Sequence, residues 1–226
     1  MSRAVIGGVS RRAMVAPLLI SLFGFCLLTP ETTGATDAPD PETATEAAAE
    51  ALYREVGLAG ILEGPVFEGG YGRMEQHGLH ARMLAIADMT QPSTAKRLFI
   101  FDLEEKKLVL RTWVAHGQNS GELMAERFSN RDGSHQTSLG LYRVGSEIVS
   151  PKHGHALLLH GLDQGVNDGA LRREVIIHSA DYVSAEFIAA HGRLGRSWGC
   201  PAVPRDDMAR VIELLADDGL LYVAGN

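Results

Sequence analysis

One thiol and one imidazole, twenty-two residues apart, carry the chemistry this chain most readily suggests. Cys200 sits in GRLGRSWGCPAV, residues 192–203, among three glycines, two arginines and a tryptophan. His178 ends the apolar stretch EVIIHSA. A cysteine becomes a nucleophile when a base takes its proton or a donor-rich setting holds the thiolate. The interval between the two residues reads as one turn, one short helix and a glycine-rich return, a path able to bring sulfur beside the strand end. Ser179 offers a carbonyl or a hydroxyl to accept the second imidazole N–H and fix the tautomer, the part of a third triad member. The other reading of Cys200, a buried and inert small hydrophobe, stays open at this level.

Pro201 sharpens the first reading. It has no N–H and turns Cys200 away from helical torsions. The residue after the nucleophile therefore cannot donate to an oxyanion, as it does in a hydrolase elbow. Donors must come from Ser197, Trp198, Gly199 and Cys200, with Gly199 allowing close approach of a substrate. Arg196 has two readings, a grip on a substrate carboxylate or a brace on nearby carbonyls, and Arg193 favours the second. Trp198 either walls a pocket or belongs to the core. His153 and His155 in KHGH lack a Cys or acid at convincing ligand spacing, so no metal and no cofactor is expected. His191 reads as a helix-end residue.

The N-terminus bears on the thiol. Residues 1–12 hold Arg3, Arg11 and Arg12 and no acid, and residues 13–28 form the apolar run AMVAPLLISLFGFCLL. This pattern predicts a signal peptide over 1–35, with a retained anchor as the alternative. Removal would take away Cys26, the only other cysteine, leaving one thiol with no internal partner. It would also remove three Arg and one Glu, so 18 basic and 27 acidic side chains leave a formal charge of −9 against −7 for the whole chain. An acidic surface argues against nucleic acid and anionic membranes as partners. No membrane span is expected after signal removal.

The elements that must position these groups follow from periodicity. Residues 36–50 read as an acidic Ala/Pro-rich linker turning helical near Thr43, and 51–80 as a helical preface. A second helix after Pro65 would bury Phe67, Tyr71 and Met74, although Gly69, Gly70 and Gly72 weaken it. The catalytic domain is expected over 81–226. Strands are predicted at 82–89, 96–103, 107–115, 139–145, 155–162, 173–180 and 220–225, with a hairpin across EEKK. Helices are predicted at SAEFIAAHG, with Ser184 as N-cap and Gly192 at its end, and after Pro204 at a first helical position. Many short strands and few helices give an α+β, β-rich class without a βαβ rhythm.

IIHSADYVSAEFIAAHGRLGRSWGCPAV resembles the catalytic segment of the murein L,D-transpeptidases, in the branch whose motif ends GRSxGCPA. The likeness extends through KRLFIFDLEEKKLVLRTWVAHGQNSG, FSNRDGSHQTSLGLY and HALLLHGLDQGVNDGALRREVIIH, most of residues 80–203. The resemblance implies an L,D-transpeptidase-like β-sandwich with short N-terminal helices. It implies that Cys200 attacks a peptidoglycan stem peptide at the L-centre of meso-diaminopimelate and that His178 takes the thiol proton. A terminal D-residue leaves, and an amine or water resolves the thioester. It also implies a periplasmic or cell-envelope setting, acylation by carbapenems, and cleft-lining places for His116 and His160. The commoner family form reads SHGC followed by an apolar residue and Arg. Here Trp198 and Pro201-Ala202 depart from it, and the usual His-Gly is His178-Ser179.

Overall fold

The computed structural model describes residues 40–226; the expected signal peptide, Cys26 and residues 36–39 lie outside them. The chain begins with two helices, α1 (Pro41–Val56) and α2 (Gly64–Gln76). Asp40 caps α1 by accepting from the Thr43 N–H at 3.0 Å, a proline occupies the first turn, and Gly57 closes the helix in the left-handed region. The expected linker over 36–50 is therefore helical from Pro41, two residues before Thr43, and α1 runs across the boundary at 50. The glycines of α2 do not weaken it but let it approach the sheet. A Cβ on Gly70 would lie 3.0 Å from Ile86 and 3.1 Å from Tyr222, while Phe67 and Met74 are buried.

The strands are β1 (Met83–Asp88), β2 (Leu98–Asp102), β3 (Lys107–Thr112), β4 (Gly140–Ser150), β5 (Gly154–Gly161), β6 (Ile176–Ser179), β7 (Ala202–Val203) and β8 (Leu220–Ala224). Between them lie α3 (Ala185–His191) and α4 (Arg205–Leu215). Ser184 and Gly192 cap α3 as their types require. Pro204, by contrast, is the N-cap of α4 rather than its first helical residue, with extended torsions. β4 is longer than its apolar stretch suggested, because a register shift between Val144 and Glu147 lets it continue along β5. β7 has two residues, too few to show any periodicity.

All eight strands form one sheet in the order β3-β2-β1-β8-β4-β5-β6-β7. β1 and β8 run parallel, as do β6 and β7. The central strands are buried on both faces, which explains the unbroken apolar reading of MLAIAD. Ala85, Ala87, Ile100, Leu157, Leu159 and Ile177 share one core with Met208, Val211 and Leu215 of α4. Leu84, Ile86, Phe99 and Phe101 share a second with Phe67 and Met74 of α2. The β-sandwich is this one sheet with its two edges brought together at a corner. Past β3, Ala115 pairs with Ala202 of β7, and Gly117 bridges to Ser197. Among the described residues, no helix is long and apolar enough to cross a membrane.

One buried carboxylate ties the preface to the sheet. Asp163 accepts the Leu141 N–H at 2.8 Å and the His77 Nε2–H at 2.8 Å, with Arg73 at 3.5 Å. Asp163→Ala leaves a buried N–H, the Arg73 side chain of α2 and the His77 side chain just past its end without this acceptor. It should lower stability by about 2–4 kcal/mol in urea unfolding.

Candidate active site

The loop carrying Cys200 is fixed residue by residue. After α3 the chain returns with the Gly195 N–H on the Tyr182 carbonyl at 2.9 Å. Ser197 is then held across the corner: its N–H donates to the His116 carbonyl at 3.0 Å, and its carbonyl accepts from Gln118 at 2.8 Å. The Ser197 hydroxyl donates to the Cys200 carbonyl at 2.6 Å and accepts the Gly199 N–H at 3.1 Å. Gly199 turns at φ +120°, and a Cβ there would meet the Gln136 carbonyl at 2.8 Å. Only glycine fits both the torsion and the gap.

Beyond the loop, β7 locks the frame. The His178 N–H donates to the Pro201 carbonyl at 3.3 Å, and His178 pairs with Ala202. Carried back two residues, that parallel register sets Cys200 level with Ile176. Ile176 lies two residues from His178 on the same face of β6. Cys200 is a free, half-buried thiol whose Sγ approaches the Glu174 carbonyl at 3.9 Å. Burial pushes the thiol up from its ordinary value, opposed by the Ile176 N–H and then by the charges of Arg173 and Lys152.

His178 is 1 % exposed. Its Nδ1–H donates to the Ser179 carbonyl at 2.9 Å, which leaves Nε2 unprotonated and free to accept. The carbonyl, not the hydroxyl, fills the third place in the constellation. Burial first pushes His178 down to about 4; the Ser179 carbonyl works against this, and His153 and Lys152 add to it. With the thiol raised and the imidazole lowered, both groups are neutral at pH 7.

Other expected site residues have different places. The Arg196 guanidinium reaches the Gln118 and Gly121 carbonyls at 3.2 Å and Glu122 at 2.5 Å, the brace on nearby carbonyls rather than a free guanidinium. Arg193 meets the same Glu122 at 2.9 Å. His116 is fully buried; its Nδ1 accepts from Arg97 at 2.8 Å and its Nε2 lies 3.3 Å from the Gly121 carbonyl. It supports the loop through its backbone and does not line a cleft. His160 lies four residues along β5 from Ala156, the partner of His178, about 13 Å away at the usual strand rise. It packs at Gly145 instead. The N–H groups of Ser197 and Gly199 are already engaged, which narrows the oxyanion donors to those of Trp198 and Cys200.

Trp198 is 64 % exposed and not core. It stacks on His135 at 5.0 Å, with Lys152 at 4.3 Å over its ring. Lys152 and His153 come from the turn between β4 and β5, and His153 lies on His178 with centroids 3.8 Å apart. Arg173 holds the Gln136 carbonyl at 2.7 Å beside Gly199. Tyr182 also flanks the sulfur: burial, then Cys200, pushes its phenol up. Trp198 was among the expected site residues, but His135, Lys152, His153, Arg173 and Tyr182 were not legible as such. KHGH drew attention only as a metal pair, whereas His153 turns to His178 and His155 to Glu147 at 2.5 Å.

Comparison with known proteins supplies a family. The model of the L,D-transpeptidase catalytic domain matches residues 67–224. No curated protein matches the chain by sequence. Among solved structures, an L,D-transpeptidase from Mycobacterium smegmatis is 14 % identical at a TM-score of 0.40, covering 65 % of this chain and 60 % of that one. An L,D-transpeptidase from Stackebrandtia nassauensis is 15 % identical at 0.39, covering 80 % and 77 %. L,D-transpeptidase 1 of Mycobacterium tuberculosis is 12 % identical at 0.37, covering 65 % and 63 %. The chain thus spans about 60 % of the first of these.

Two outcomes check this geometry. Gly199→Ala meets backbone as well as torsional strain and should cost about 3 kcal/mol. Gly192→Ala, at φ +70° in open space, should cost about 1 kcal/mol in the same urea titration. His116 and His178 both titrate near 4 in the fold, against the ordinary 6.5. Their contribution is present above pH 6.5 and is lost as pH falls toward 4, because the unfolded chain binds the protons first. Stability should therefore fall by a few kcal/mol, on the order of 2 for each histidine, between pH 7 and pH 5.

Proposed function

The chain belongs to the L,D-transpeptidase catalytic-domain family, and from that premise we propose that it is a cysteine acyltransferase acting on peptidoglycan stem peptides. The observation that carries this is the neutral imidazole of His178, with Nδ1–H fixed by the Ser179 carbonyl and Nε2 left to accept, on the strand that registers with the Cys200 loop.

The donor is a tetrapeptide stem. The Cys200 thiol gives its proton to His178 Nε2 as Sγ bonds to the carbonyl carbon at the L-centre of meso-diaminopimelate. The developing oxyanion meets the Trp198 and Cys200 N–H groups, fixed before reaction by Ser197 and Gly199. The tetrahedral centre collapses, the bond to the terminal D-residue breaks, and that residue leaves with the proton from His178. The thioester then meets the amine of a second stem. That nitrogen bonds to the acyl carbon, its proton passes through His178 to sulfur, and the free thiol returns with a 3-3 cross-link formed. Water in place of the amine gives a carboxypeptidase. An envelope location, reached by way of residues 1–35 as a signal peptide, belongs to the same proposal, as does acylation by carbapenems.

Intact-mass measurement after incubation with a carbapenem tests the thiol. One adduct is expected on the wild-type protein and none on Cys200→Ala; an adduct that persists in that variant removes the proposal. His178→Ala should acylate on the order of 10²–10⁴-fold more slowly with its fold intact. Stems supplied with and without an acceptor amine separate transfer from hydrolysis: tripeptide as the only product under both conditions makes the protein a carboxypeptidase.

The pH profile follows from the neutral pair. His178 is a free base above about pH 4 and the thiol is raised above its ordinary value. Acylation should be level between about pH 6 and pH 8 and should decline only in acid, below the ordinary imidazole range. Stopped-time mass analysis across pH reads this directly, and a rise centred near pH 6.5 would instead indicate an ordinary histidine.

A further inference from the structure

The His178 imidazole is hydrogen-bonded on one edge only, from Nδ1 to the Ser179 carbonyl. A single such bond fixes one edge of the ring and leaves its tilt about that bond to whatever packs on its faces. A second imidazole packs on one of those faces. His153 lies face to face on His178, with ring centroids 3.8 Å apart and planes 29° from parallel.

The surroundings explain how it gets there. Ala156 stands directly opposite His178 across the β5–β6 ladder, and a methyl group there leaves the ring face open. His153 is three residues earlier, at the tip joining β4 to β5. Gly154 takes φ +71°, and the His153 N–H donates to Ser150 Oγ at 3.4 Å. That turn brings the His153 ring back onto His178. Its neighbour Lys152 is drawn over Trp198, so the turn is tied at two points to the groups around Cys200.

We propose that His153 is a positioning residue: its stacked ring holds the His178 imidazole in the plane from which Nε2 takes the Cys200 proton. It also presents a neutral aromatic face to the imidazolium that forms. The assignment rests on the acyl-transfer proposal only in giving His178 the part of proton acceptor. His153 must be neutral to do this. Lys152 adjoins it on the turn, Arg173 and Cys200 come from the stretches beside β6 and β7, and Arg205 of α4 is paired with Asp181. His155 and Glu147 pair with each other on β5 and β4. Burial and then Lys152 hold His153 below its ordinary value, so it is uncharged at pH 7. A proton on it would set a second cation against His178 at the moment His178 must accept one.

The test uses the full chain as wild type, His153→Ala and His153→Phe. Nitrogen-15 NMR of the imidazoles reads the tautomer and titration of His178, and alkylation by iodoacetamide at pH 7 reads the Cys200 thiol. Wild type should show one neutral tautomer, protonated at Nδ1. In His153→Ala the Nδ1-protonated tautomer should persist, held by the Ser179 carbonyl, while the His178 midpoint should rise from about 4 toward the ordinary imidazole range and alkylation should slow about tenfold. His153→Phe, which keeps the stack without a titrating group, should restore the low midpoint and most of the rate. An unchanged midpoint and rate in His153→Ala, or no rescue by Phe, overturns the assignment. If His153→Ala loses its thermal unfolding transition, His153→Gln replaces it as the variant without a ring. No stem peptide enters these measurements. A wild-type protein that forms no acyl-enzyme therefore sinks the acyl-transfer proposal, while the imidazole spectra still decide the part of His153.

Discussion

The corner where the two edges of the sheet meet is the constraint on which the site depends. An open sheet leaves unpaired donors and acceptors on both edges. Here Ala115, beyond one edge strand, exchanges hydrogen bonds with Ala202 on the other, at 2.8 and 3.4 Å. Ala202 pairs on its other side with His178. A two-residue strand is thus held from both flanks, and it begins two residues after Cys200. The pairing sets the height of the sulfur against β6 more firmly than side-chain packing could. Slippage by one residue would turn Cys200 to the opposite face.

Charge around the corner runs against the character of the whole chain. The sequence carries a formal −7, yet the charges felt by Cys200 are those of Arg173 and Lys152, and Trp198 lies under the Lys152 ammonium. These cations do not outweigh burial, so the thiol stays protonated at rest. In the proposed acyl transfer, negative charge appearing at sulfur or on a substrate oxygen would lie beside these cations.

The sequence was most legible where a repeating pattern reports burial. Six of the seven expected strands lie within three residues of the observed ends, and the seventh, β4, was truncated because its continuation past Val144 opens with Gly145, Ser146 and Glu147 and is nowhere fully buried. Cys200, His178 and Ser179 stood out by type and neighbourhood. What did not show was direction. Arg196 reads equally as a grip or a brace until the Gln118 and Gly121 carbonyls are found beside it. His116 and His160 fall in segments that suggest a cleft, but the first is buried behind the loop and the second lies along the strand. Lys152 and His153 reach the site through a hairpin whose length depended on a bulge, and nothing in KHGH reports which way the turn folds.

The burial of His116 has its own logic, which begins at Arg97. That guanidinium is fully buried and donates to the Val114 and Gln91 carbonyls at 3.1 and 2.7 Å and to His116 Nδ1 at 2.8 Å. Burial pushes Arg97 down to about 10, opposed by Asp88, and it remains a cation at neutral pH. Burial first, and then the Arg97 cation 2.8 Å away, push His116 down to about 4, so it is neutral with its proton on Nε2. Its ring is then fixed between Arg97 and Gly121, and its backbone carbonyl is fixed with it. That carbonyl is the one holding the Ser197 N–H, and Ser197 in turn holds the carbonyl of Cys200. A buried cation is thus linked to the Cys200 carbonyl through three polar contacts in series. His116, like His178, is held well below the ordinary imidazole value, at about 4, so both rings stay neutral at neutral pH.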